Sequence, residues 1–257
     1  MNAGGRAMKA RHWIVAALCT GATALAAHAG DNAGGYLVFY TNDATVYSTD
    51  TDYSHLSGVT CEETPNPVDP CPGGSIDCSS SKATVQNGAT SGLTNANVVF
   101  WLLAGWPEET CPKLKAIIFG IQYDETKFGI SGLGTDADFE LTTPKNGHDW
   151  PATGSGTALT WNSPRNSHLK EVYWFAGYVY DQATNFSIVN HPTQGYPKFG
   201  DANVPAGEDE VGVGYDPQHQ NQSFLPSLGL AGAAGNNGDI TPVQHTSWGA
   251  VKSRYQR

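Results

Sequence analysis

An all-β fold, an antiparallel β-sandwich of about one domain, is predicted by three observations. Charged residues make up only 15% of the 257-residue chain, while Gly (30) and Pro (15) are abundant, a composition of turns and short strands rather than of long surface helices. Aromatic residues, 11% of the chain, concentrate in short β-branched runs. Gly, Pro, Asn and Asp punctuate those runs, and helical periodicity is missing before the last dozen residues.

The first element is a targeting segment. Residues Met1 to Trp13 carry Arg6, Lys9 and Arg11 with no acid, Ile14 to Ala27 is apolar, and Ala27-His28-Ala29 follows. This order predicts a secretory signal peptide over 1–29, cleaved after Ala29, and hence a protein that is secreted, periplasmic or on the cell surface. A membrane anchor needs roughly 20 apolar residues, and this run is shorter and broken by Thr and Gly. Cys19 follows Leu18, where lipid attachment calls for a small residue. All 24 acids but only 11 of the 14 bases lie beyond Ala29, so the mature chain carries a net charge of −13. That balance excludes a nucleic-acid binder, which needs a basic stripe to displace phosphate counterions.

Four cysteines remain after cleavage: Cys61, Cys71, Cys78 and Cys111. An even number in an oxidising compartment predicts two disulfides, with all three pairings open. Cys71 and Cys78 flank Pro72-Gly73-Gly74 and are placed to close a small loop, which would leave Cys61 for Cys111. A zinc site would need close C-x-x-C pairs, and none is present.

Strands are predicted in order. Leu37 to Tyr40 and Thr45 to Tyr47, separated by Asn42-Asp43-Ala44, read as an opening hairpin. Residues 57–94 form a polar, Cys-rich loop insertion that burial alone cannot order and crosslinks would hold. Val98 to Leu103 is apolar on both alternations and predicts a strand covered on both faces. Leu114 to Tyr123 follows the same rule. Further strands are expected at Phe139 to Leu141, Ala158 to Trp161, Glu171 to Tyr180 and Phe186 to Val189. The sandwich domain is bounded at 30–215. Residues 216–257 read as a loose C-terminal segment, flexible from Ser227 to Gly238, with a short helix at 247–256 in which Trp248, Val251 and Tyr255 share a face.

The aromatic strand Val172 to Tyr180 is the leading functional candidate. Strand alternation places Trp174, Ala176, Tyr178 and Tyr180 on one face and Tyr173, Phe175, Gly177 and Val179 on the other. An exposed face would let rings stack on sugars, so Tyr173, Trp174, Tyr178 and Tyr180 are candidate binding residues, with Trp248 as a docking anchor in the tail. The competing expectation is that both faces are core.

Acids cluster at Asp50 and Asp52, at Asp136, Asp138 and Glu140, and at Glu208, Asp209 and Glu210. Structural Ca²⁺ is one reading of such loops, but EF-hand spacing is missing and turns favour Asp for backbone reasons, so no cofactor and no metal ligand is expected. Asp124, Glu125, Glu171 and Asp181 fall near strand ends where a glycosidase pair would meet. Ser155 lacks the hydrolase elbow, and His148, His168, His191, His219 and His245 are scattered without H-E-x-x-H. No catalytic residue is assigned.

Two resemblances follow. Lys115 to Asp124, with Lys127-Phe-Gly-Ile130 after it, resembles the cohesin-like sandwich pattern in which an apolar strand ends in Tyr-Asp. The combination of Pro107 to Pro112, Glu171 to Tyr178, His191 to Gly195, Gly200 to Pro205 and Ser247 to Lys252 resembles a group of uncharacterised secreted β-sandwich proteins of environmental bacteria, over roughly residues 35–257. The resemblances imply export, a cohesin-like or Ig-like sandwich and attachment to another protein through a sandwich face. The sequence therefore reads as a secreted, non-catalytic binding or structural module whose partner is an extracellular protein, with a carbohydrate-binding protein or glycan hydrolase as the alternative.

Overall fold

A computed structural model describes residues 30–42, 45–59, 97–106, 110–180, 182–203, 206–211 and 225–235. Among them all regular secondary structure is β-strand: β1 (Tyr36–Thr41), β2 (Asn97–Gly105), β3 (Leu114–Gln122), β4 (Phe128–Gly134), β5 (Phe139–Thr143), β6 (Gly156–Arg165), β7 (Leu169–Val179), β8 (Thr184–Val189), β9 (Lys198–Gly200), β10 (Glu208–Glu210) and β11 (Ser227–Leu230). Every pairing is antiparallel. One sheet has the order β1-β2-β7-β4. The other runs β5-β6-β3, and the far edge of β3 is shared by β9 at Ala116 to Ile118 and by β8 at Gly120 to Gln122. Strands β8 and β9 are thus one interrupted strand lying end to end, extended outward by β11 and β10.

The main core fills the space between the sheets. Phe39, Phe100, Phe128 and Phe175 from the first sheet close around Phe186 from the second, with ring centroids 4.9–5.9 Å from it. Strand β7 keeps Val172 and Tyr173 both in this core because Leu102 pairs with Tyr173 and Leu103 with Glu171, leaving Val172 as a bulged extra residue. The bulge restores alternation, so Trp174 and Ala176 turn outward.

A second apolar cluster lies on the outer side of the first sheet. Tyr40, Trp101 and Trp174 form one cross-strand row there, joined by Val38, Val99 and Leu103 and covered by Tyr53 and Val59. Strand β2 is therefore buried on both faces, as its double alternation predicts.

Several expectations need correction. Thr45 to Tyr47 is not a strand; β1 pairs with β2 instead, and the 45–59 segment serves as the cover of the outer cluster. Strand β3 is buried on only one face, since Ala116 and Ile118 are half-exposed. Ser227 to Leu230 is not flexible but forms β11, with Leu228 and Leu230 buried, so the sandwich reaches past residue 215. Cys111 is disulfide-bonded. The helix expected at 247–256, Trp248, Cys61, Cys71, Cys78, nearly all of the 57–94 insertion and the signal segment lie outside the described residues.

Gly120 and Gly156 face each other across β3 and β6, and the 190–196 turn folds into the notch they leave. A Cβ at Gly156 would lie 2.5 Å from the His191 ring. His191 is buried, its Nδ1 accepts from the Thr193 and Gln194 amides, and burial holds its pKa below the ordinary value. Gly156→Val is expected to lower the unfolding free energy by about 1–3 kcal/mol in urea titrations by displacing that ring.

Candidate binding surface

The two sheets differ in what covers their outer faces. On the first sheet, the 45–59 segment is pinned by named contacts. Trp101 Nε1 donates to the Tyr53 carbonyl at 2.9 Å, Trp174 Nε1 to Asp52 Oδ1 at 3.1 Å, and Tyr47 Oη to the Ser131 carbonyl at 2.7 Å. Glycines on β4 make room for the rings: a Cβ at Gly132 would strike Tyr47, and one at Gly134 would strike Trp174.

Glu171 anchors the same segment from below, accepting from the His55 amide at 2.7 Å and the Ser57 amide at 3.3 Å. Burial dominates over those bonds and pushes its pKa up from 4.5 to about 6. The folded chain thus binds this proton more tightly than the unfolded chain does. Between pH 4.5 and 6 stability is lost as pH rises, by about 2 kcal/mol for this group. In urea unfolding, the difference between Glu171→Gln and wild type is expected to move in the variant's favour by that amount from pH 4.5 to pH 7.

The expected binding residues separate accordingly. Tyr173 is fully buried, donating to Glu140 Oε1 at 3.0 Å and accepting from Trp150 Nε1, and burial raises its pKa. Trp174 is buried under Tyr53. Neither ring is open to a ligand, because the bulge at Val172 and the 45–59 cover take both inside. Tyr178 and Tyr180, beyond the end of that cover, are 40% and 46% exposed, with centroids 5.4 Å apart and planes at 64°.

The outer face of the second sheet has no such cover among the described residues. Cross-strand pairing lines up Leu141, Ala158, Ile118 and Lys198 in one row and Phe139, Thr160, Ala116 and Gly200 in the next. Phe139 and Leu141 are 61% and 59% exposed, and Ala116, Ile118 and Ala158 are half-exposed beside them. The rows end on β10 at Glu208 and Glu210, where Lys198 Nζ bonds Glu208 Oε2 at 2.8 Å. An apolar stripe with acidic residues at its far end results. Phe139 to Leu141 was legible in the sequence only as a strand; its role as an exposed stripe needed the register, which puts residues from three strands side by side.

Among the described residues the acids serve the fold through hydrogen bonds to neighbouring groups. Asp136 accepts from Trp161 Nε1, Asp138 from the Asn162 amide, and Glu140 from Thr157 Oγ1. Asp209 accepts from the Gly30 and Asn32 amides and ties the start of the described chain to β10. Among the described residues no group of three or more His, Cys, Asp or Glu is placed to hold a metal ion. Asp124 caps the β3–β4 turn through Thr126. Glu171 lies at the opposite end of β7 from the strand's contact with that turn, roughly 25–30 Å along the strand, so the two cannot flank one glycosidic bond. Ser155 is buried and donates to the Ala152 carbonyl, as a turn residue does. Asp181, His219 and His245 lie outside the described residues.

The arrangement is that of an antiparallel β-sandwich. No protein-family model matches the chain, and no curated protein matches it. Among solved structures it is similar to the cohesin module of a Clostridium perfringens family 33 glycoside hydrolase, at 6% identity and a TM-score of 0.37, covering 56% of this chain and 90% of that one. It is also similar to the sixth cohesin of Acetivibrio cellulolyticus scaffoldin B, in complex with a Cel5 dockerin, at 15% identity and a TM-score of 0.31, covering 47% and 92%. A third is the seventh ScaB type I cohesin of Pseudobacteroides cellulosolvens, at 8% identity and a TM-score of 0.32, covering 51% and 92%. The likeness is weak, and no residue role passes from those modules to this chain. No helix among the described residues is long and apolar enough to cross a membrane.

Proposed function

We propose that the chain is an exported, non-catalytic attachment module that binds another protein through the outer face of the β5-β6-β3 sheet and needs no cofactor to do so. The observation that carries this reading is the asymmetry between the faces: one is covered by its own chain, while Phe139 and Leu141 stand exposed on the other. An apolar stripe of this kind on a soluble domain is a liability unless a partner covers it. The acidic end of the stripe and the mature net charge of −13 favour a partner that surrounds an apolar anchor with Lys or Arg.

A second reading is supported by the exposed Tyr178 and Tyr180 pair, on which a sugar ring could rest. The two separate in one experiment. Immobilised mature chain is offered culture-supernatant proteins and a glycan array, with and without Ca²⁺. Protein capture that survives Tyr178→Ala with Tyr180→Ala but is lost with Phe139→Thr and Leu141→Thr supports attachment. Glycan binding lost with the tyrosine pair supports the sugar reading.

A further inference from the structure

We propose that Lys170 and Asp136 form an amide crosslink between their side chains. Lys170 lies at the start of β7 on the inner side of the first sheet, opposite Ala104, and Asp136 lies in the β4–β5 connection. Their side chains are each 11% exposed, and Lys170 Nζ is in direct contact with Asp136 Oδ2. The condensation uses the form of the pair in which one proton has passed from Nζ to the carboxyl group, NH₂ beside COOH.

The surroundings supply the rest of the chemistry. Trp161 Nε1 donates to Asp136 Oδ1 at 3.1 Å and polarises the oxygen that stays as the carbonyl. His55 Nε2 is 3.4 Å from Oδ2, the oxygen that leaves. The His55 backbone, at φ 66°, is fixed by the hydrogen bond that its amide donates to Glu171. Lys170 Nζ attacks Asp136 Cγ, the C–N bond forms, and the Cγ–Oδ2 bond breaks as His55 delivers a proton to Oδ2. The departing water takes its OH from the carboxyl group and its second hydrogen from the amine, and His55 recovers its proton from nitrogen. Neither oxidant nor reductant enters. Groups held in contact react at an effective concentration of about 10⁵ M or more, which offsets the unfavourable condensation of free amines and acids in water. The other carboxylates nearby are engaged elsewhere: Asp138 by the Asn162 amide and Glu140 by Thr157 and Tyr173.

The test is the intact mass of the mature chain, reduced and unfolded. Wild type is expected to be lighter than its sequence by one water, with a branched peptide joining the segments of Asp136 and Lys170 after digestion. Lys170→Arg keeps a cation at the site but not the nucleophile and is expected to show the full mass. His55→Ala is expected to slow the reaction and leave an unlinked fraction. A full mass for wild type overturns the crosslink, as does loss of water that persists in Lys170→Arg. His55→Ala that links as fast as wild type overturns the role given to the imidazole.

Discussion

Replacement of Phe186 by alanine is expected to lower the unfolding free energy by about 3–5 kcal/mol, the largest single-residue loss in this sandwich. Phe186 is fully buried and is the ring through which the second sheet meets the first. It packs against Phe39, Phe100, Phe128 and Phe175, and stacks on Tyr123 at 5.3 Å. Those rings come from four strands of one sheet and the end of β3, so little can move in to fill the space left. A domain of this kind has about 5–15 kcal/mol of stability in total, and the variant would therefore sit near the threshold of folding. Urea titration reads this directly: the midpoint should fall with the slope unchanged, because the surface exposed on unfolding is nearly the same. A loss under about 1 kcal/mol would mean that the two sheets are not joined through this ring.

The second large effect is on binding and leaves stability almost untouched. Phe139→Thr with Leu141→Thr places β-branched side chains that suit a strand on β5 and removes the apolar surface that protrudes from it. Stability is expected to change by no more than about 0.5 kcal/mol, as for other exposed positions. Affinity for the captured protein is expected to fall about 100-fold, since a few anchor residues in the well-packed part of an interface carry most of its energy. Removing the acidic charge with Glu208→Gln and Glu210→Gln should instead act mainly on the association rate and its salt dependence.

The contrast between these two phenylalanines shows where the sequence was informative. Periodicity located the strands, and the double alternation of Val98 to Leu103 correctly implied burial on both faces, since composition alone records whether a run meets water on either side. It failed for Leu114 to Tyr123, because Ala116 and Ile118 are as apolar as core residues and differ from them only in that no segment among the described residues covers them. Thr45 to Tyr47 looked like a strand because β-branched and aromatic residues suit any surface that buries rings, here the outer side of Trp101 and Trp174. The pattern shows the aromatic strand, but not the bulge at Val172 or the origin of its cover 114–122 residues earlier in the chain, since both are facts of pairing rather than of pattern. Alternation alone leaves Tyr173 and Trp174 open to both readings, ligand contact or core, and both rings are buried. The Lys170 and Asp136 contact was equally invisible, as the two residues come together only when the β4–β5 connection crosses between the sheets.

Amide hydrogen exchange on the mature chain, alone and saturated with the captured protein, tests the central claim most directly. Added protection confined to β5, β6 and the Ala116 to Ile118 stretch of β3 is the expected result. Protection that appears instead over residues 45–59 or 174–180, with β5 and β6 unchanged, would contradict it.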